Sequence, residues 1–317
     1  TITNKFVSHN FDSLHLAINT KNLKSLEKQR TNKYHEKNYK KKWVKGKVTI
    51  LNHNKKINKS IKVKLRAKGD RKIHFLNLNS MSYKIDVVGK DDFVFGMEEM
   101  SLQKPVARNF AWEILYHELL KKQNIVSLNI IPVKFYRNNK YLGIFVLEES
   151  FGNELLKRQS REPGPIIGIN EELDHSFPNL TYEFYSEKYW NSKNKKILKK
   201  VENKLNYIKS NYKKNDFNIH DYFDLDKWAK YFALSDVLKM FHGTVTKSVK
   251  LYYNPSSGLF EPIAFDGHYQ SGYQDFSFID FINDPKIDCG YACSFRSWYS
   301  LFFNNKNTKF LEKYFEY

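Results

Sequence analysis

The sequence lacks an apolar run near the roughly 20 residues that a membrane-crossing helix needs, so nothing in it reads as a span. Cysteine is almost absent: only Cys289 and Cys293 occur, spaced CGYAC. Two ligands cannot make a structural zinc site, which takes four, so the expectation is two ordinary thiols, with a disulfide open only in an oxidising compartment. There is no G-x-G-x-x-G and no G-x-x-x-x-G-K-[ST], which excludes the usual glycine-rich phosphate loops. H-R-D, D-F-G, G-x-S-x-G and H-E-x-x-H are missing as well, which argues against ordinary kinase, serine-hydrolase and zinc-hydrolase signatures. Arginine is scarce beside lysine. The formal net charge of +19 is therefore carried by lysines, spread along the whole chain with asparagine, isoleucine, tyrosine and phenylalanine. That texture fits an AT-rich genome, so no specific nucleic acid is expected as a partner, only weak attraction to acidic molecules.

What is present can build a sizeable core. Hydrophobic residues make up 41% and aromatics 16% of 317 residues, enough for two lobes or one large domain. The first residue is Thr1, and the sequence reads as a piece of a longer protein whose upstream leader or anchor stays open. Residues 1–42 are polar, with the charge run KYHEKNYKKK, and read as a weakly ordered lead-in. From Trp43 the pattern changes to period two: VKGKVTIL and SIKVKLRAKG alternate around the turn HNKKINK, and SYKIDVV and MSLQ follow as strands. PVARNFAWEILYHELLKKQN predicts a helix opened by Pro105, with Ala111, Ile114, Leu115 and Leu119 as its buried stripe. Glu118 lies beside that stripe, either paired with a cation or reaching solvent. Two more strands, VSLNIIPVKFY and YLGIFVLEES, complete a sheet-rich lobe over 43–150.

Residues 151–317 read as a mainly helical lobe. REPGPIIG breaks structure, NSKNKKILKKVENKLNYIKSNY is a charged amphipathic helix, and Asp224 is placed to cap DLDKWAKYFALSDVLKMF. The hairpin VKLYYNP–SSG–LFEPIAF then delivers Asp266 and Gly267. An acid followed by glycine at a strand end is either a simple turn or a metal-phosphate site. The expected class is α+β: an antiparallel sheet lobe with one helix, followed by a mainly helical lobe carrying the hairpin. A small sheet lobe followed by such a helical lobe is also the layout of a protein kinase. Phosphoryl transfer needs a carboxylate for magnesium, a cation for the phosphates, an acid to fix that cation and a group near the attacking hydroxyl. Asp266, Lys84 and Glu118 are the candidates for the first three roles.

The run IKVKLRAKGDRKIHF, SYKIDV, FGMEEMSLQKPVARNFAWEILYHELL, KYLGIFVLEES and VKLYYNPSSGLFEPIAFDG resembles the spore-coat protein H (CotH) kinase-like family over roughly 43–270. RQSREPGPIIGINEEL is similar to a segment of a divergent bacterial branch of it. The resemblance implies an atypical protein-kinase-like two-lobed fold. It implies an enzyme that transfers the terminal phosphate of ATP to a hydroxyl, a protein serine being the expected acceptor, with Mg2+ or Mn2+. Carried over, Asp266 is the metal ligand, Arg66 and Arg108 match two family arginines, and Glu149 matches the acid ending the L-x-E strand. Together with Lys84 and Glu118 these form the expected nucleotide-binding set.

The departures are Ala264 where the family has its first metal acid, His242 at or beside the family's acid near the acceptor, Ser248 near its asparagine, and Ser80 and Met81 in place of its paired lysines. His242, with Asp236 nearby in sequence, is the candidate catalytic group; a histidine there either accepts a proton near neutral pH or is a satisfied core side chain. The lost acids keep an alternative open, a catalytically impaired pseudokinase or binding module of the cell envelope. Compartment and acceptor are not legible.

Overall fold

The computed structural model describes residues 11–35, 41–52, 60–69, 71–89, 91–169, 179–246, 248–267, 277–284, 286–287 and 290–317. The expected turn HNKKINK and Cys289 lie outside them. The chain is mixed α+β and divides into two units. One comprises residues 1–111 and 129–150, the other 112–128 and 151–317.

Among the described residues the first unit holds seven strands: β1 (Ser13–Ala17), β2 (Val44–Leu51), β3 (Ile61–Ala67), β4 (Tyr83–Val87), β5 (Glu99–Gln103), β7 (Ile130–Arg137) and β8 (Lys140–Glu149). They do not stay open as a sheet under a helix, as the sequence suggested. They close into a barrel in the order β1-β2-β3-β4-β5-β8-β7. Every pairing is antiparallel except the parallel β1–β7 seam. The alternation that marked β2, β3, β4 and β8 fills the interior: Val48, Val63, Leu65, Ile85, Leu102, Phe135, Phe145 and Leu147 are all buried in one cluster. Closure depends on residues that sequence placed in a weakly ordered lead-in. There β1 contributes the buried Leu14 and Leu16, and the helix Thr20–His35 lays Leu26 on the core while Gln29 accepts the Ala67 amide at 3.1 Å.

The second unit is built on a five-stranded sheet. Its members are β6 (Val126–Ser127), β9 (Ile166–Ile169), β10 (Tyr182–Phe184), β11 (Lys250–Tyr253) and β12 (Phe260–Ala264), ordered β10-β9-β11-β12-β6. The β11–β12 hairpin follows the sequence reading; β9 falls inside the REPGPIIG stretch expected only to break structure. Asp224 caps the helix Leu225–Val237 as expected, its Oδ1 accepting the Lys227 amide at 3.2 Å. That helix packs into an aromatic core. The Trp228 ring centroid lies 5.0 Å from Phe302 and 5.6 Å from Trp298, and both indole N–H groups are satisfied, on the Phe260 and Thr244 carbonyls. Such rings bury about 150–250 Å² each, so this cluster is the main anchor of the unit.

The helix Ala111–Lys122 belongs to this second unit from Trp112 onward. Its buried face is not the predicted stripe: Glu113, Tyr116, His117 and Leu120 are buried, whereas Ala111 and Leu115 are exposed. The face was misread because two of its four inward residues are polar and satisfy each other. Cys293 is disulfide-bonded, contrary to the expectation of a free thiol.

Candidate active site

In the first unit the strand registers put Arg66 opposite Lys84, Lys84 opposite Ser101, and Ser101 opposite Glu148. Leu65, Ile85, Leu102 and Leu147 point into the barrel, so this row stands on the outer face, because successive side chains alternate. Glu148 is its hub. Lys68 Nζ donates to Oε1 at 2.9 Å, Gln103 Nε2 to Oε2 at 3.0 Å, and Arg108 binds both oxygens, through Nη2 at 3.1 Å and through Nε. The Glu148 side chain is only 5% exposed. Burial alone would raise its pKa, but Arg108 and Lys68 outweigh burial and hold it well below the usual carboxylate value. Burial dominates at Lys68 and brings its pKa down to about 8, with Glu148 opposing and Arg108 adding to the fall.

Lys84 Nζ donates to Ser150 Oγ at 2.5 Å and pairs with Glu99. The sequence offered Glu118 as its partner; Glu118 is instead exposed, 3.8 Å from Lys121. The Arg66 guanidinium lies 5.1 Å from the exposed Trp43 ring. Glu149, one residue past Glu148, turns the other way and accepts the Asn129 amide at 3.0 Å. The structure thus groups Arg66, Lys84 and Arg108 on or beside one face, and adds Lys68 and Glu148, which the sequence reading missed. Their signal was period two: Lys68 follows Arg66 by two residues, and Glu148 alternates with Phe145 and Leu147.

In the second unit β12 runs out at Ala264, and Asp266 takes a left-handed φ of 48° before Gly267. Asp tolerates that region better than most residues. The turn is fixed from behind. Leu128 N–H donates to His117 Nδ1 at 3.2 Å, so His117 Nε2 carries the proton and donates to Glu113 Oε1 at 3.1 Å. The same oxygen accepts the Gly267 amide at 3.2 Å. A Cβ on Gly267 would meet the Tyr116 ring at 2.7 Å and Met240 at 2.9 Å, so only glycine lets the turn lie this close. Glu113 and His117 were not singled out from sequence; their i, i+4 spacing was the available sign.

His242 faces the turn. Its Nδ1 lies 3.0 Å from the Asp266 carbonyl, 3.2 Å from Ser248 Oγ and 3.4 Å from Asp266 Oδ2. A carbonyl only accepts, so Nδ1 carries a proton and Nε2 is the acceptor of the neutral ring. Asp236 serves elsewhere: Oδ2 accepts from Ser277 Oγ, Tyr314 OH and the Phe278 amide, the last at 3.1 Å. Among the described residues no group of three or more His, Cys, Asp or Glu side chains is gathered for a metal. The Asp266 side chain is 20% exposed. One such carboxylate suits magnesium, which keeps waters and phosphate oxygens around it, and does not suit a resident zinc site.

The profile of the CotH kinase protein family matches residues 65–307. The chain belongs to this family. No curated protein matches the sequence. The family match takes in the outer-face row from Arg66 to Glu148 and the β11–β12 hairpin with Asp266 and His242, but begins after β1, β2 and the first part of β3. No helix among the described residues is long and apolar enough to cross a membrane.

Proposed function

We propose that this member of the CotH family is an atypical kinase that moves the terminal phosphate of ATP to a hydroxyl, a protein serine being the acceptor. Its two units then correspond to the lobes of a kinase-like fold. The observation that carries the reading is the cationic row of the first unit, organised on the buried carboxylate of Glu148. Phosphoryl transfer asks mainly for positioning and charge compensation, and Lys68, Lys84 and Arg66 offer cations for phosphate oxygens. Arg108 holds Glu148, and Glu148 in turn orients Lys68. In the second unit Asp266 is the carboxylate for an Mg2+ or Mn2+ carried with the nucleotide; that ion would offset charge on the phosphates. His242 Nε2 is the proton acceptor, while Asp236 and Glu149 hold local structure and Glu118 has no role.

The test is transfer of labelled phosphate from ATP in the presence of magnesium, to the chain itself or to a serine-rich protein. Lys84→Ala and Asp266→Asn should each reduce transfer at least a hundredfold. Wild-type chain that binds Mg-ATP without any transfer would leave the second reading, a nucleotide-binding pseudokinase. Ala264 in place of an acid, with His242 Nδ1 turned onto Asp266, is the observation that favours it.

A further inference from the structure

Beside the Arg66 end of the outer-face row, where Lys64 precedes Arg66 by two residues on β3 and both cations lie over the Trp43 ring, the first unit carries a cavity of about 760 Å³ against β2, β3 and the start of the helix Thr20–His35. That volume falls in the range of small-molecule sites. Four lysines line it: Lys45 and Lys47 from β2, Lys62 and Lys64 from β3. The strand register sets them directly opposite one another, Lys45 against Lys64 and Lys47 against Lys62. Like charges facing across a strand pair repel and destabilise it. Among the described residues only Lys64 has an acid beside it, Asp86 at 2.9 Å.

The other wall adds no negative charge. Asn19 caps the helix, its Oδ1 accepting the Asn22 amide at 2.8 Å, and the first turn contains no acidic residue. The positive end of that helix is therefore uncompensated. Asn22 Nδ2 is fixed on the Lys45 carbonyl at 2.8 Å, which ties the helix start to the rim. Neighbouring ammonium groups stem from Cβ atoms about 5 Å apart across the pair and about 7 Å apart along a strand. That spacing suits several phosphates crowded on one small scaffold, and lysine meets phosphate as a point charge, without the fork geometry of arginine.

We propose that this cavity binds a compact polyphosphorylated small molecule through its own four lysines, which adjoin the Arg66 end of the face that serves phosphotransfer. The bound anion relieves the two lysine–lysine pairs, so occupancy and stability of the β2–β3 ribbon rise together.

Inorganic tripolyphosphate is the probe. Calorimetric titration is run at fixed ionic strength on the wild-type chain and on a variant carrying Arg66→Ala, Lys68→Ala and Lys84→Ala, so that binding at the Glu148 face is separated. One tripolyphosphate should still bind to this triple variant. Adding Lys62→Glu to that background should weaken binding about tenfold and, by placing an acid opposite Lys47, raise the melting temperature of the ligand-free chain. Lys47→Gln with Lys62→Gln is the milder pair should reversal impair folding. A loss of affinity smaller than about threefold in a folded variant overturns the site. A short DNA duplex that binds more tightly than tripolyphosphate at equal phosphate concentration overturns the small-molecule assignment in favour of a nucleic-acid surface.

Discussion

His242 Nδ1 and Asp266 Oδ2 stand 3.4 Å apart, with the Asp266 carbonyl closer still at 3.0 Å. Backbone and side chain of one residue therefore meet one imidazole edge. This separates two substitutions that look alike. Asn keeps the left-handed conformation at 266 and removes the charge; Ala removes the charge and also suffers the strained φ of 48°. Asp266→Asn is expected to lose magnesium-dependent transfer with stability within about 0.5 kcal/mol of wild type. Asp266→Ala is expected to lose the same activity and about 1 kcal/mol more. Urea unfolding read beside the labelled-phosphate assay checks both.

Buried Glu148 balances two half-buried cations, Lys68 and Arg108. Its replacement by Ala leaves Lys68 and Arg108 facing each other without a carboxylate, and the loss of one partner of a buried pair costs about 3–5 kcal/mol. The acid side follows from the same geometry. The folded-state pKa of Glu148 lies well below its ordinary 4.5, so the folded state binds fewer protons than the unfolded chain. Its contribution is complete above pH 4.5 and drains away as pH falls below that toward the folded pKa. Unfolding midpoints measured down the acid range should drop more steeply for wild type than for Glu148→Gln.

Lys68 titrates in reach of ordinary assays. Its pKa falls from 10.5 to about 8 in the folded chain. Between those values the unfolded chain binds more protons, so the stability term from this residue rises with pH across that window. Charge at the phosphate face moves the other way, since the ammonium is lost above pH 8. Nucleotide affinity should decline from pH 8 upward in wild type. Lys68→Arg, which stays charged, should flatten the decline; an unchanged profile would remove Lys68 from the site.

Gly267→Ala places a methyl group 2.7 Å from the Tyr116 ring. The ring is wholly buried and cannot yield freely, so a cost of about 1–3 kcal/mol is expected. The Gly267 amide would also shift off Glu113, and Asp266 with it. Transfer activity should therefore fall further than the stability loss explains, which thermal unfolding and kinetics on the same sample would show.

Legibility in the sequence followed how far each side chain declares its surroundings. Period-two alternation exposed β2, β3, β4 and β8, and capping chemistry exposed the start of the helix at Asp224. The seam strand β1 did not show, because its five residues SLHLA sit in a polar stretch and gain their place from pairing with both β2 and β7. The helix face was misread because Glu113 and His117 look like surface residues until Leu128 and Gly267 supply their partners. At the candidate site Arg66 and Arg108 were carried over from the family resemblance, and Lys84 was picked as a cation on a strand. Glu149 was carried over as the acid ending the L-x-E strand; Glu148, one residue earlier and so on the opposite face of β8, is the one that gathers Lys68, Gln103 and Arg108.

The parallel seam between β1 and β7 has a practical side. A DNA insert cut to the family-matched stretch would begin at residue 65, inside β3. The polypeptide made from it would have lost β1, β2 and residues 61–64 of β3, and would present two bare strand borders, at the stub of β3 and on β7. Unsheathed borders of that kind recruit other chains, so trimming to the recognisable region is expected to favour aggregation, and retaining residues from 11 onward keeps both borders paired.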